Sequence, residues 1–203
     1  PKTMAVIGVS SKKRGHPANV IYSKSNFRYP IKVFPVNPHG GMLYRENIYT
    51  KLSELPEKVD LAVIAARAQY VPEIIKSCIQ NEVGGAVIIS GGFAEIGITD
   101  LQEHIVSMAK EASFPFIGPN CLGICSPPDF DTFFLPSERL IQPRAGNVAF
   151  VSQSGGVLVD QMAKFAGQNI GVSLAVSIGN KALIKEIDLL KYLSEDPKTD
   201  VIT

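Results

Sequence analysis

The sequence predicts an α/β protein built from parallel sheets with helices packed on their faces. Three observations predict it. Short apolar, β-branched runs alternate with helical patterns along the whole 203-residue chain. The runs are apolar at successive positions, as strands buried on both faces are. The turns that follow several of them are rich in glycine and hydroxyl residues, and ligands of open α/β sheets bind at the carboxyl ends of strands.

Met4 to Val9, Ile31 to Val36, Leu61 to Ala65, Ala86 to Ile89 and the Phe116-Ile117 pair read as strands. His16 to Ser25, Gln69 to Asn81 and Thr99 to Ala112 read as the helices between them. Val71, Ile74, Ile75, Cys78 and Ile79 give the stripe of a helix laid on a sheet, and Leu101, Ile105, Met108, Ala109 and Ala112 repeat it. Residues 1–126 are therefore expected to form a Rossmann-like domain. Pro127, Pro128, Pro136 and Pro143 punctuate 127–146, a stretch with no period, expected as a linker packed on the surface.

The alternation restarts over 147–203, as strand 147–151, helix 156–167, strand 172–177, helix 185–193 and a last strand from Asp200. So short a βαβαβ unit cannot cover both faces of its own sheet. It reads as the first part of a flavodoxin-like α/β domain whose remainder lies beyond Thr203. The start at Pro1, with no methionine, fits a piece of a longer protein.

Composition narrows the function classes. Hydrophobic residues make up 45% and charged residues 19%, enough for a real core. A net charge of +1, no tryptophan and 8% aromatics disfavour nucleic acid as a partner. The longest apolar run, Leu61 to Ala66, is far short of the roughly 20 residues of a membrane helix. Cys78, Cys121 and Cys125 lack zinc-like pairing and read as reduced thiols of a cytoplasmic protein, so no metal site is expected.

Two turns carry the chemistry. Phe150-Val151-Ser152-Gln153-Ser154-Gly155-Gly156 runs from a strand into a helix, aiming N–H groups and hydroxyls at one spot above the helix N-terminus. Such a spot suits phosphate. A turn using serine as N-cap and glycine for tightness explains the same residues. The first strand ends in Gly8-Val9-Ser10-Ser11-Lys12-Lys13-Arg14-Gly15, which offers hydroxyls and consecutive cations but no dinucleotide fingerprint. A solvated loop cluster is the lesser alternative for those cations. Strand two ends in Val36-Asn37-Pro38-His39, where an NAD site would place an acid for the ribose. The turn thus suits a phosphate-rich ligand other than NAD. Ser90-Gly91-Gly92-Phe93 and Gly118-Pro119-Asn120-Cys121-Leu122-Gly123 end strands four and five at the same sheet edge, as a ligand site or as plain turns. His16 and His104 have no visible partner and receive no catalytic role.

Taken in order, these stretches resemble the α-subunit part of the NDP-forming acyl-CoA synthetases, the group of ADP-forming acetyl-CoA synthetase and succinyl-CoA synthetase. The likeness runs through Val6-Ile7-Gly8-Val9-Ser10, Val36-Asn37-Pro38, Gly91-Gly92-Phe93-Ala94-Glu95 and Gly118-Pro119-Asn120-Cys121-Leu122-Gly123-Ile124. It continues through Phe150-Val151-Ser152-Gln153-Ser154-Gly155 and Ser177-Ile178-Gly179-Asn180-Lys181, covering essentially the whole chain.

The resemblance implies that the first domain binds coenzyme A. Gly8, Ser10, Ser11, Lys12 and Lys13 would meet its nucleotide and phosphates, with Asn37 and His39 beside them. Ser90 and Gly91 would line the pantetheine path, and Asn120 and Cys121 would lie near the thiol. Ser152, Gln153, Ser154, Gly155 and Gly156 would hold the phosphate of a phosphohistidine. His39 or Gly40 stands where the family usually carries a lysine toward CoA, and Leu183-Ile184 stand where it commonly has an acid. The phosphohistidine itself is expected beyond Thr203, so no catalytic residue is assigned and the fragment alone is expected to be inactive. ATP or ADP with Mg²⁺ would bind an ATP-grasp β-subunit or fused ATP-grasp domain, in a hetero- or homo-oligomer acting on a small-molecule substrate. The alternative is a non-catalytic CoA-binding regulatory module, for example of a protein lysine acetyltransferase. A nicotinamide-dependent oxidoreductase is opposed by Asn37.

Overall fold

The computed structural model describes residues 1–136 and 143–203. Six residues of the expected linker, 137–142, lie outside the described residues. The first sheet is parallel and five-stranded, in the order β2-β1-β5-β6-β7. Its strands are β1 (Thr3–Ile7), β2 (Lys32–Val36), β5 (Leu61–Ile64), β6 (Ala86–Ile88) and β7 (Phe116–Ile117). Helices α2 (Val71–Gln80) and α3 (Thr99–Glu111) cover one face, where Val71, Ile75, Cys78, Ile105 and Ala109 pack on Ala5, Ile7, Ala62, Ile64 and Ile88. Helix α1 (Pro17–Arg28) covers the other face through Ala18, Ile21 and Tyr22, against Met4, Val6, Val33 and Val63.

Helix α1 shows no clean apolar stripe because its buried face is partly polar. Lys24 and Ser25 are buried with Ile21 and Tyr22. Lys24 Nζ lies 2.7 Å from Asp131 Oδ2 and donates to the carbonyl of Phe133, while Ser25 Oγ donates to the Asp131 carbonyl at 2.8 Å. Asp131 lies in a strand of the second sheet, and Phe133 follows just after that strand.

That sheet is mixed, in the order β12-β10-β11-β8-β9. Parallel strands β10 (Ala145–Ser152), β11 (Val172–Ser177) and β12 (Val201–Ile202) are joined by antiparallel β8 (Gly123–Ser126) and β9 (Phe130–Asp131). The 127–146 stretch therefore differs from the expected surface linker. It supplies β9 and the first two residues of β10, and Phe130, Asp131, Thr132 and Phe133 are buried. The sequence hides this because strands of two residues carry no period.

Helix α4 (Gly155–Gly167) packs Leu158 and Met162 on one face of the second sheet, against Phe150, Val172 and Ala175. On the other face Val176 and Ile178 meet Leu189 of α5 (Glu186–Glu195) and also Val87, Ile117 and Cys121 of the first domain. The first domain thus supplies the cover that so short a unit lacks. A hairpin of β3 (Met42–Leu43) and β4 (Glu46–Asn47) completes the fold beside β2.

Candidate functional site

A cavity of about 1060 Å³ opens at the carboxyl ends of the first sheet's strands. Pockets for drug-sized ligands run to roughly 1,000 Å³, so this one has room for an elongated ligand. Gly8 after β1, Asn37 and His39 after β2, and Ser90 and Gly91 after β6 all line it. Its apolar wall includes Ile7, Val36, Leu52 and Ile74.

Each lining turn is fixed by its neighbours. Gly8 takes φ +105°, and a Cβ there would stand 2.4 Å from the Ala65 carbonyl oxygen, so β1 and β5 approach too closely for any side chain. Asn37 spends its amide on the scaffold, since Nδ2 donates to the Val9 carbonyl at 2.7 Å and Oδ1 accepts from His39 N at 2.9 Å. Its role in the turn is to bind two strand ends together. Ser90 is buried; its Oγ donates to the Ile64 carbonyl and accepts from Ala66 N.

The Ser10–Lys13 turn is ordered from beneath. Buried Asn19 accepts from Ser10 N and donates to the carbonyls of Ser10 and Lys13, while Ser10 Oγ accepts from the N–H groups of Lys12 and Lys13. Ser11 sits against Gly41. Yet Ser10, Ser11, Lys12 and Lys13 are not among the residues that line the cavity, and Ser11, Lys12 and Lys13 are exposed. His16 does line it. It caps α1 with Nδ1 accepting from Ala18 N, and burial together with Lys13 holds its imidazole below the ordinary value.

Asn120 and Cys121 fare differently from expectation. Asn120 N donates to the Ser90 carbonyl at 2.9 Å, so it adjoins the cavity's edge without lining it. Cys121 faces the core, where its thiol donates to the Ile88 carbonyl and burial pushes its pKa up to about 12. A neutral, enclosed thiol is structural.

The sequence reading missed Lys51, Arg67 and Tyr70, which also line the cavity. Arg67 follows β5, whose Ala65-Ala66-Arg67-Ala68 turn carries no glycine or hydroxyl residue to mark it as a ligand turn. Lys51 precedes a short 3₁₀ turn (Leu52–Glu54) that has no periodic signal.

The second turn, Ser152–Gly156, opens α4. Ser154 is its N-cap and accepts from Val157 N, and Ser152 Oγ hydrogen-bonds the backbone of Ser154. Gln153, Ser154 and Gly156 are exposed. A Cβ on Gly155 would meet Leu122 Cβ at 3.1 Å, so that glycine makes room for the 118–122 segment. Gly156 meets nothing nearer than 3.8 Å and is the open position.

The 118–122 segment joins the two turns physically. Asn180 N donates to the Pro119 carbonyl, and Leu122 N donates to Ser177 Oγ. Asn120 Nδ2 donates to Asn180 Oδ1 at 3.3 Å, and Asn180 Nδ2 donates to Glu95 and to Gln102. Leu183 packs on the first domain's core and Ile184 on the shared one, which accounts for apolar residues in that loop.

Comparison with known proteins agrees with this geometry. Residues 2–127 match the family described as CoA binding domain, and residues 145–203 match the succinyl-CoA ligase like flavodoxin domain. The chain is 36% identical over its whole length to acetate–CoA ligase [ADP-forming] I of Archaeoglobus fulgidus, of which it spans 29%. It is 33% identical to the α subunit of acetate–CoA ligase [ADP-forming] I of Pyrococcus furiosus, of which it spans 44%. Among solved structures, the dinucleotide-forming acetyl-coenzyme A synthetase 1 of Ca. Korarchaeum cryptofilum, in complex with phosphate and ADP, superimposes with a TM-score of 0.89 at 36% identity, covering 100% of this chain and 43% of that one. By this sequence match, this fold and this cavity, the chain belongs to the NDP-forming acyl-CoA synthetase family, with its CoA-binding domain followed by its succinyl-CoA ligase-like flavodoxin domain.

Proposed function

We propose that this chain is the CoA-binding portion of an ADP-forming acyl-CoA synthetase, converting acyl-CoA, ADP and phosphate into acid, CoA and ATP through acyl phosphate and phosphohistidine. The observation that carries the reading is the large cavity at the carboxyl ends of β1, β2, β5 and β6, inside the CoA-binding match. Its ribose end offers Asn37 with a committed amide and no acid, which suits CoA over NAD. Ser90 and Gly91 line the cavity where a pantetheine arm would run, and the Asn120 N–H, donating to the Ser90 carbonyl, holds that turn in place.

Phosphate would sit at Ser152–Gly156, where the helix dipole and first-turn N–H groups of α4 favour an anion and Gly156 leaves the approach open. ADP with Mg²⁺ would bind an ATP-grasp subunit or fused domain, and the histidine that carries phosphate between the sites would come from outside these residues. The relatives named as α subunits support such a partner. Three free, buried cysteines fit a reducing, cytoplasmic setting.

Titration calorimetry of the full chain with CoA and with NAD tests the reading. CoA is expected to bind and NAD to bind at least tenfold more weakly. NAD binding as tight as CoA overturns it.

A further inference from the structure

Strand-end cations were expected on the β1 turn, yet the cavity is lined from elsewhere. Lys51 reaches it from the segment after the β3–β4 hairpin, and Arg67 from the turn after β5. Both are exposed at the rim. Among the described residues, the Arg67 guanidinium has no ion pair or hydrogen bond. Lys51 is near enough to Glu54 to contribute to lowering that carboxyl. His16, the other basic group close to α1, is held toward its neutral form. Glu73 is the acid among the described lining residues, and it lies on α2 beyond the Arg67 turn.

In a doubly wound sheet, the end of the second strand receives the adenosine ribose. An acid there selects a free ribose hydroxyl, and a nearby arginine selects a ribose phosphate. Here the strand ends in Asn37, whose side chain is already used by Val9 and His39. The cations that remain at the cavity are Arg67 and Lys51, with His39 between β2 and the rim. An arginine fork matches phosphate oxygens bidentately, and an ammonium adds a point charge. Lys12 and Lys13 do not line the cavity.

The geometry points to Arg67, assisted by Lys51, as the group that recognises the ribose 3′-phosphate of CoA and separates CoA from dephospho-CoA. This rests on the CoA reading above and names its specificity residues. Lys12 and Lys13 contribute to neither. No bond is made or broken; the discrimination is charge-assisted hydrogen bonding, which is salt-sensitive at an exposed rim.

The test is titration of the full chain with CoA, dephospho-CoA and NADP. The unaltered chain is expected to prefer CoA over dephospho-CoA by roughly tenfold or more. Arg67→Gln with Lys51→Gln should bring that ratio close to one and leave dephospho-CoA affinity unchanged, since both positions are exposed and the fold is not at stake. Lys12→Gln with Lys13→Gln should keep the ratio. A ratio that survives in the Arg67/Lys51 variant, or that disappears in the Lys12/Lys13 variant, overturns the assignment. So does equal binding of CoA and dephospho-CoA by the unaltered chain, which leaves the CoA reading standing. Tighter binding of NADP than of CoA assigns the rim to a dinucleotide phosphate and overturns it too. Failure to bind either CoA form removes the CoA reading itself.

Discussion

His16 shows how much one side chain does here. It caps α1 with Nδ1 as acceptor, a role open only to the neutral ring, and it also lines the cavity. Burial and Lys13 lower its pKa below 6.5 in the folded state. The unfolded chain therefore binds the proton first, and the stability tied to this group is present above about pH 6.5 and is lost as pH falls below it. Thermal unfolding between pH 7.5 and 5 should show that loss, and His16→Asn, which can cap without titrating, should flatten this part of the profile. An unchanged slope would return His16 to a bystander role. The sequence placed His16 at a helix start but gave it no partner, because its acceptor contact is to backbone. Cys121 is the converse. Its place beside Asn120 in the turn was legible, whereas its inward rotation depends on the Ile88 carbonyl across the sheet.

Among elements, α1 departs furthest from a simple amphipathic helix. Its Lys24 and Asp131 of β9 are 4% and 0% exposed and pair at 2.7 Å. Removing one partner of such a pair strands the other in the core, at a cost of about 3–5 kcal/mol. Lys24→Met should therefore lower the denaturation midpoint strongly, and adding Asp131→Asn should recover part of the loss; a Lys24→Met protein of unaltered midpoint would show that the pair is solvated. The long helices and central strands were readable because their apolar spacing persists over several turns. The β3–β4 hairpin was not. Its loop residues Tyr44 and Arg45 take φ of +49° and +72°, where asparagine and glycine are the usual signal. Strands β8 and β9 escaped because β9 has two residues and pairs only with its short neighbour β8, while β8 finds its other partner, β11, far along the chain.

At the scale of the whole molecule, the two sheets are joined through a polar knot as well as a shared core. Glu95 accepts from Gly92, Phe93 and Asn180, and Asn180 also holds Gln102 and Asn120. Burial raises the Glu95 pKa, but the hydrogen bonds, Asn180's first among them, outweigh it and hold the group below 4.5. Its contribution to docking is thus present above about pH 4.5 and lost as pH falls through the lower folded value. The protection factor of the Asn120 amide, which donates to the Ser90 carbonyl, is expected to fall on acidification toward pH 3.5 and to be low at every pH in Glu95→Gln. Equal protection in both proteins would show that the apolar contacts alone hold the sheets. The order of the two α/β units was legible from the alternation of elements, and the family from its turns. The contact between the units was not, because it depends on which loops meet in space.

The crossing of β8 into the second sheet has a bearing on ancestry and on dissection. Only five residues separate the end of β7 at Ile117 from the start of β8 at Gly123, and the CoA-binding match runs on to residue 127. The segment that closes the first module by descent is thus an interior strand of the second, paired with β11 and β9. A cut at that frontier would strip the later module of β8, leave β9 without its partner and bare Leu122 and Cys125 to water. Shuffling the modules as cassettes would meet the same obstacle, so the pair is expected to be inherited, exchanged and expressed as one unit.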